Sequence, residues 1–87
     1  MTASAQIAVY PLRQDQLSPA VLAVQQSLRD HGLSPEPGPM STYVVGEDET
    51  VFAALRDAFA RASGLGHIVM TVTVSNACPI PARPIPK

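Results

Sequence analysis

The 87-residue chain has no tryptophan, and aromatic residues make up only 5% of it. Single-stranded nucleic acid needs aromatic platforms on which its bases stack, and these are largely absent. The basic side chains do not compensate. Five of the six are arginines, scattered at Arg13, Arg29, Arg56, Arg61 and Arg83, and the formal net charge is -1. No basic stripe forms, so nucleic acid is not expected as a partner. One cysteine, Cys78, excludes a disulfide within the chain and fits a reducing compartment. The expected location is the cytoplasm. His31 and His67 are separated, and with a lone cysteine they give no paired-ligand spacing, so no metal site is expected. No apolar run approaches the roughly 20 residues that span a bilayer. Met1 to Tyr10 also lacks a basic segment followed by a long apolar run, so neither membrane insertion nor a signal peptide is expected.

What is present is a chain with 46% hydrophobic residues, suited to one compact domain. At this size only roughly 60% of the unfolded surface is buried on folding, which leaves room for association with a second copy. From Ala5 to Leu12 the pattern alternates as in a strand, with Ile7 and Val9 on one face and Ala8 and Tyr10 on the other, until Pro11 removes a ladder donor. Ser18-Pro19 is a helix start, a capping hydroxyl followed by the residue that lacks the amide left unpaired there. Leu17, Val21, Val24 and Leu28 recur at helical spacing, opposite Gln25, Gln26, Arg29 and Asp30. His31 and Gly32 supply the helix's C-terminal signals.

Between Leu33 and Met40 the prolines at 35, 37 and 39 predict an edge strand, since they cannot donate to neighbours on both sides. Thr42 to Gly46, with Tyr43, Val44 and Val45, is a short strand. Glu47, Asp48 and Glu49 suit a helix N-terminus. Val51, Phe52, Leu55, Ala58, Phe59 and Ala62 form the apolar stripe of the helix that follows, which ends at Gly64 or Gly66. A last strand runs from His67 to about Ser75. Ile68, Met70, Val72 and Val74 point one way, and Val69, Thr71, Thr73 and Ser75 the other. The proline-rich segment Pro79 to Lys87 is expected to be extended and solvated.

The order strand, helix, strand, strand, helix, strand predicts an α+β fold, a ferredoxin-like βαββαβ sandwich with a four-stranded antiparallel sheet and two helices on one face. The domain is assigned to residues 5-79 and the tail to 80-87. The uncovered face is expected to carry Ala8, Tyr10, Thr42, Val44, Val69, Thr71 and Thr73. That mixture is too apolar for open solvent and too hydroxylated for a dry core. A second subunit and a ligand are compatible candidates for covering it.

Two polar clusters beside stiffening prolines stand out: Gly38-Pro39-Met40-Ser41-Thr42 and Ser75-Asn76-Ala77-Cys78-Pro79. Each also has a plain reading, as a turn and as a strand end followed by a stop signal. As a pocket they would present small donors and acceptors, with Met40 as a flexible wall and the Asn76 amide able to pair with the edge of a heterocycle. Tyr10 is either a sheet residue at a subunit interface or a ring face for a flat or cationic ligand. Cys78 has no visible base or helix N-terminus to activate it, and a packing role is the better assignment. The carboxylates at 47 to 49 are read as charges matched to a helix dipole.

The segments Val9-Tyr10-Pro11-Leu12, Gly38 to Thr42 with Val45-Gly46, and Val74 to Pro79 together resemble the YkoF-like thiamine and hydroxymethylpyrimidine-binding family, over most of residues 5 to 79. The resemblance implies a ferredoxin-like domain that binds thiamine or its pyrimidine precursor without transforming it, in support of uptake, salvage or delivery. It implies no catalytic residues and no cofactor beyond that ligand. Family members carry two such domains in tandem, so a homodimer or homotetramer paired through the open sheet face is implied for this single domain. Carried over as pocket residues are Tyr10, Met40, Ser41, Thr42, Ser75, Asn76 and Cys78, with Ser41, Thr42 and Asn76 as pyrimidine hydrogen-bonders, Tyr10 and Met40 as walls, and Cys78 as lining. Two alternatives share the fold. One is a regulatory module binding an amino acid at a subunit interface. The other is an acylphosphatase-like enzyme, for which Arg13 is a hint but residues 11 to 18 lack the glycine-rich phosphate cradle.

Overall fold

A computed structural model describes residues 1-13, 16, 18-38 and 41-77. Its elements are β1 (Thr2–Pro11), α1 (Ser18–Asp30), β2 (Glu36–Pro37), β3 (Thr42–Glu47), α2 (Asp48–Ser63) and β4 (Ile68–Ser75). The four strands form one antiparallel sheet in the order β2-β3-β1-β4, with both helices packed against one face. This is the expected α+β architecture. The edge strand is shorter than the proline spacing suggests, and β1 begins three residues earlier, because its first residues pair with the end of β3, Thr2 opposite Glu47 and Ala3 opposite Gly46. Among the described residues no helix is long and apolar enough to cross a membrane.

Odd-numbered β1 residues Ala3, Ala5 and Ile7 are buried against the helices together with Val24 and Leu28 of α1 and Val51, Ala54, Leu55, Ala58 and Ala62 of α2. The first helix stops as its C-terminal signals require. Gly32 has a left-handed φ of 82°, its amide donates to the Arg29 carbonyl at 2.9 Å, and the Leu33 amide reaches back to the Leu28 carbonyl at 3.0 Å. That pair of bonds caps the last carbonyls and directs Leu33 into the core.

Three expected orientations are corrected. Directly opposed residues of an antiparallel pair share a face. Thr42 lies opposite Ile7 and Val44 opposite Ala5, so both face the helices rather than the open side. A period of two leaves the face undetermined until the register is known. The open face instead carries Gln6, Ala8 and Tyr10 of β1, Tyr43 and Val45 of β3, and Val69, Thr71 and Thr73 of β4. In α2, Phe52 and Phe59 are 56% and 48% exposed, outside the buried stripe. Each sits one residue, about 100° of rotation, past Val51 or Ala58, and the alanines at 54, 58 and 62 occupy the buried side instead. Gln25, expected on the wet side of α1, is half-buried on its inner flank.

Candidate functional site

A cavity of about 260 Å3 opens where β1 ends and where α1 and β3 begin. The strand contributes Ile7 to Tyr10, and α1 contributes Val21, Val24 and Gln25. The β2 to β3 turn contributes Pro37, Gly38, Ser41 and Thr42. The chain converges here for local reasons. Gly38 donates its amide to the Ser41 carbonyl at 2.7 Å, closing the turn, and Gln6 donates its side-chain amide to the Ser41 hydroxyl at 3.1 Å. These bonds tie the turn to the centre of the sheet. Thr42 is only 6% exposed and lines the cavity from the strand side, in surroundings where a hydrogen bond to a guest gains strength from exclusion of water. The walls are otherwise mainly apolar, with Ile7, Val9, Val21 and Val24 on the helix side of the sheet and Tyr10 at the rim, 45% exposed.

Of the residues singled out from the sequence, the fold therefore gathers Tyr10, Ser41 and Thr42 at one cavity. Met40 and Cys78 lie outside the described residues, as does the tail from 79. Ser75 and Asn76 are elsewhere. Ser75 stands opposite Ser4, six residues along β1 from Tyr10, a separation of roughly 20 Å at the rise of a strand. There the Ser75 hydroxyl accepts the Ala77 amide at 2.9 Å, and the Asn76 amide donates to the Met1 Sδ at 3.5 Å. The two clusters belong to opposite ends of the sheet. Gln25 is the lining residue that sequence reasoning missed. The available signal was its position four residues after Val21 and three before Leu28, on the flank of the apolar stripe.

A second polar group, also not singled out beforehand, joins the helices away from the cavity. Ser27 of α1, fully buried, makes side-chain contacts with the Ala54 carbonyl at 3.2 Å and the Asp57 carboxylate at 3.1 Å. Asp57 also meets His31 Nε2 at 3.3 Å and Arg61 at 2.8 Å, and Arg61 reaches Asp30 at 2.7 Å. Partial burial is the largest single influence on Asp57 and acts to raise its pKa. The hydrogen bonds from Arg61, Ser27 and His31 together outweigh it and hold the carboxyl below its ordinary value. Asp30 is lowered too, first by the hydrogen bond from Arg61 and then by that from Gln26. Serine, histidine and aspartate in one place suggest nucleophilic catalysis, but the geometry opposes it. The serine is inaccessible, and both it and the imidazole address the same carboxylate, so the imidazole is not placed to take the hydroxyl proton. The group pins α1 to α2.

The chain's fold is shared with several solved structures. It is similar to a protein from Streptococcus pneumoniae at 22% identity and a TM-score of 0.79, covering 86% of each chain. It is similar to a hypothetical protein from Methanocaldococcus jannaschii at 17% identity and a TM-score of 0.78, covering 86% of this chain and 79% of the other. A Thermotoga maritima protein provisionally assigned to thiamine biosynthesis or salvage is similar at 20% identity and a TM-score of 0.75, covering 85% of this chain and 82% of that one. At these identities the likeness establishes the fold. Comparison with curated proteins gave no match. The model of the YkoF-related family matches residues 2-81, a span that takes in all four strands, both helices and every described wall of the cavity, and the chain belongs to that family.

Proposed function

We propose that the chain binds thiamine or its hydroxymethylpyrimidine moiety in the cavity between α1 and the sheet, without transforming it, in support of thiamine uptake, salvage or delivery. The observation that carries this reading is the cavity itself. Its volume of about 260 Å3 lies just below the range typical for drug-sized ligands, which suits one heteroaromatic ring with the remainder of a larger molecule directed outwards. Apolar walls pack the ring faces, and the polar groups of Ser41, Thr42 and Gln25 supply the few directed hydrogen bonds by which a pyrimidine is told apart from a plain aromatic ring. Membership of the YkoF-related family supports the same ligand class, as does the fold shared with the Thermotoga maritima protein assigned to thiamine metabolism. Hydroxyls and carboxamides hold a ring in place but are poor proton-transfer groups near neutral pH, which favours binding over catalysis.

Isothermal titration with thiamine, hydroxymethylpyrimidine and the isolated thiazole tests this function, with an amino-acid mixture as control. Thiamine and the pyrimidine are expected to bind and the thiazole not. Heat from amino acids with none from either pyrimidine compound would overturn the proposal in favour of a regulatory module.

A further inference from the structure

The fold places a carboxamide on the inner flank of α1, beside its apolar stripe. Val21, Val24 and Leu28 turn α1 towards the sheet, and Gln25, one turn after Val21, lines the cavity beside Val21 and Val24. The other glutamines with assigned contacts are occupied within the protein. Gln6 donates to Ser41 and Gln26 to Asp30, whereas no hydrogen bond among the described residues engages the Gln25 side chain. The side chain is half-buried at the cavity wall, so its donor and acceptor are both open to a guest that enters there. Thr42, a residue only 6% exposed, lines the same cavity. Asn76, the residue whose amide the sequence offered for pairing with a heterocycle, is at the far end of the sheet on Met1.

We propose that Gln25 is the specificity-determining residue of this cavity: its carboxamide pairs in two-point fashion with a ring amino group and the adjacent ring nitrogen of the bound heterocycle. This rests on the assignment of the cavity to a pyrimidine ligand. The pairing needs a neighbouring donor and acceptor in one plane, which a primary amide offers and a hydroxyl does not. The same geometry lets glutamine read the amino edge of adenine. The cavity then rejects a ring that lacks the amino group, because accepting it leaves the Gln25 oxygen unpaired.

The test compares wild type, Gln25→Met and Gln25→Leu, all good helix formers at that position, by calorimetric titration with hydroxymethylpyrimidine and with the same compound bearing hydrogen in place of its amino group. Thermal unfolding of each variant confirms that it is folded. Wild type is expected to prefer the amino compound by about tenfold to a hundredfold, the range of one good two-point pair. In both variants the preference is expected to fall to about twofold or less, mainly through weaker binding of the amino compound. A folded variant that keeps the wild-type preference overturns the role of Gln25 while leaving the ligand assignment standing. Wild type that binds neither compound overturns the ligand assignment itself, and the inference with it.

Discussion

Replacing Gly46 by alanine tests how tightly the end of β3 is packed against the turn that leaves α1. A Cβ built at Gly46 lies 2.6 Å from Leu33 Cδ2 and 3.6 Å from Val51 Cγ2. Carbon atoms in contact prefer about 3.5 Å, so the Leu33 methyl must retreat by about 0.9 Å. The Leu33 backbone cannot follow freely, because its amide is bound to the Leu28 carbonyl in the helix cap and Gly32 before it has the left-handed φ that cap requires. The flexible end of the Leu33 side chain has to swing aside within the core. Overpacking of this kind costs about 1–3 kcal/mol, while removing a glycine from a strand returns roughly 0.5–1 kcal/mol. The net expectation is a loss of about 1 kcal/mol, or a Tm lower by about 4–8 °C for a domain of this size.

Urea denaturation followed by circular dichroism reads the loss directly, provided the denaturant slope is unchanged. The decisive comparison is a double-mutant cycle with Leu33→Val, which removes the offending methyl. Alone, Leu33→Val is expected to cost about 1 kcal/mol for the vacated space. In the alanine background it is expected to cost little or to restore stability, giving a coupling of about 1 kcal/mol. Gly46→Ala as stable as wild type, or effects that add to within about 0.3–0.5 kcal/mol, would refute the packing explanation.

Acid should loosen the helix layer through Asp30 and Asp57. Both have folded-state pKa values below the ordinary 3.8, so the unfolded chain takes up protons first, and their contribution, present above that value, is lost as pH falls through the lowered ones. Arg61→Met removes a hydrogen bond to each carboxylate and is expected to flatten the fall in Tm below about pH 4; an acid limb with the wild-type slope contradicts that role. Within the proposed site, Thr42→Val is expected to weaken hydroxymethylpyrimidine binding by about threefold to tenfold, the worth of one neutral hydrogen bond. Asn76→Ala is expected to leave the affinity within about twofold, since it lies at the other end of the sheet. Equal losses in both variants, measured by titration, would show that the ligand site is not confined to this cavity.

The fold was legible because its signals are local. Ser18-Pro19 at the start of α1, Gly32 at its end and Asp48-Glu49 at the start of α2 each act through the backbone within a few residues, and each is found where the pattern puts it. The site was legible only in part, because it depends on register. Residues 41 and 42 are adjacent, yet Ser41 bonds with Gln6 while Thr42 is buried opposite Ile7. Nothing within β3 says which of the two turns towards the helices. The pairing with β1 decides it, and that pairing joins residues 35 or more apart in sequence.

The same pairing separates the two polar clusters that looked alike in sequence. Both are short hydroxyl-bearing segments beside proline, but β1 passes the first near its C-terminal half and the second near its N-terminal half. An antiparallel strand of ten residues therefore holds them apart as effectively as it holds the sheet together. Gln25 was overlooked for the converse reason. A hydrophilic side chain next to Gln26 is most simply assigned to the wet face, and only the position of α1 over the end of β1 turns it into a wall of the cavity. A polar residue on the flank of an apolar helical stripe is thus where a binding role departs most visibly from the pattern that folding alone would select.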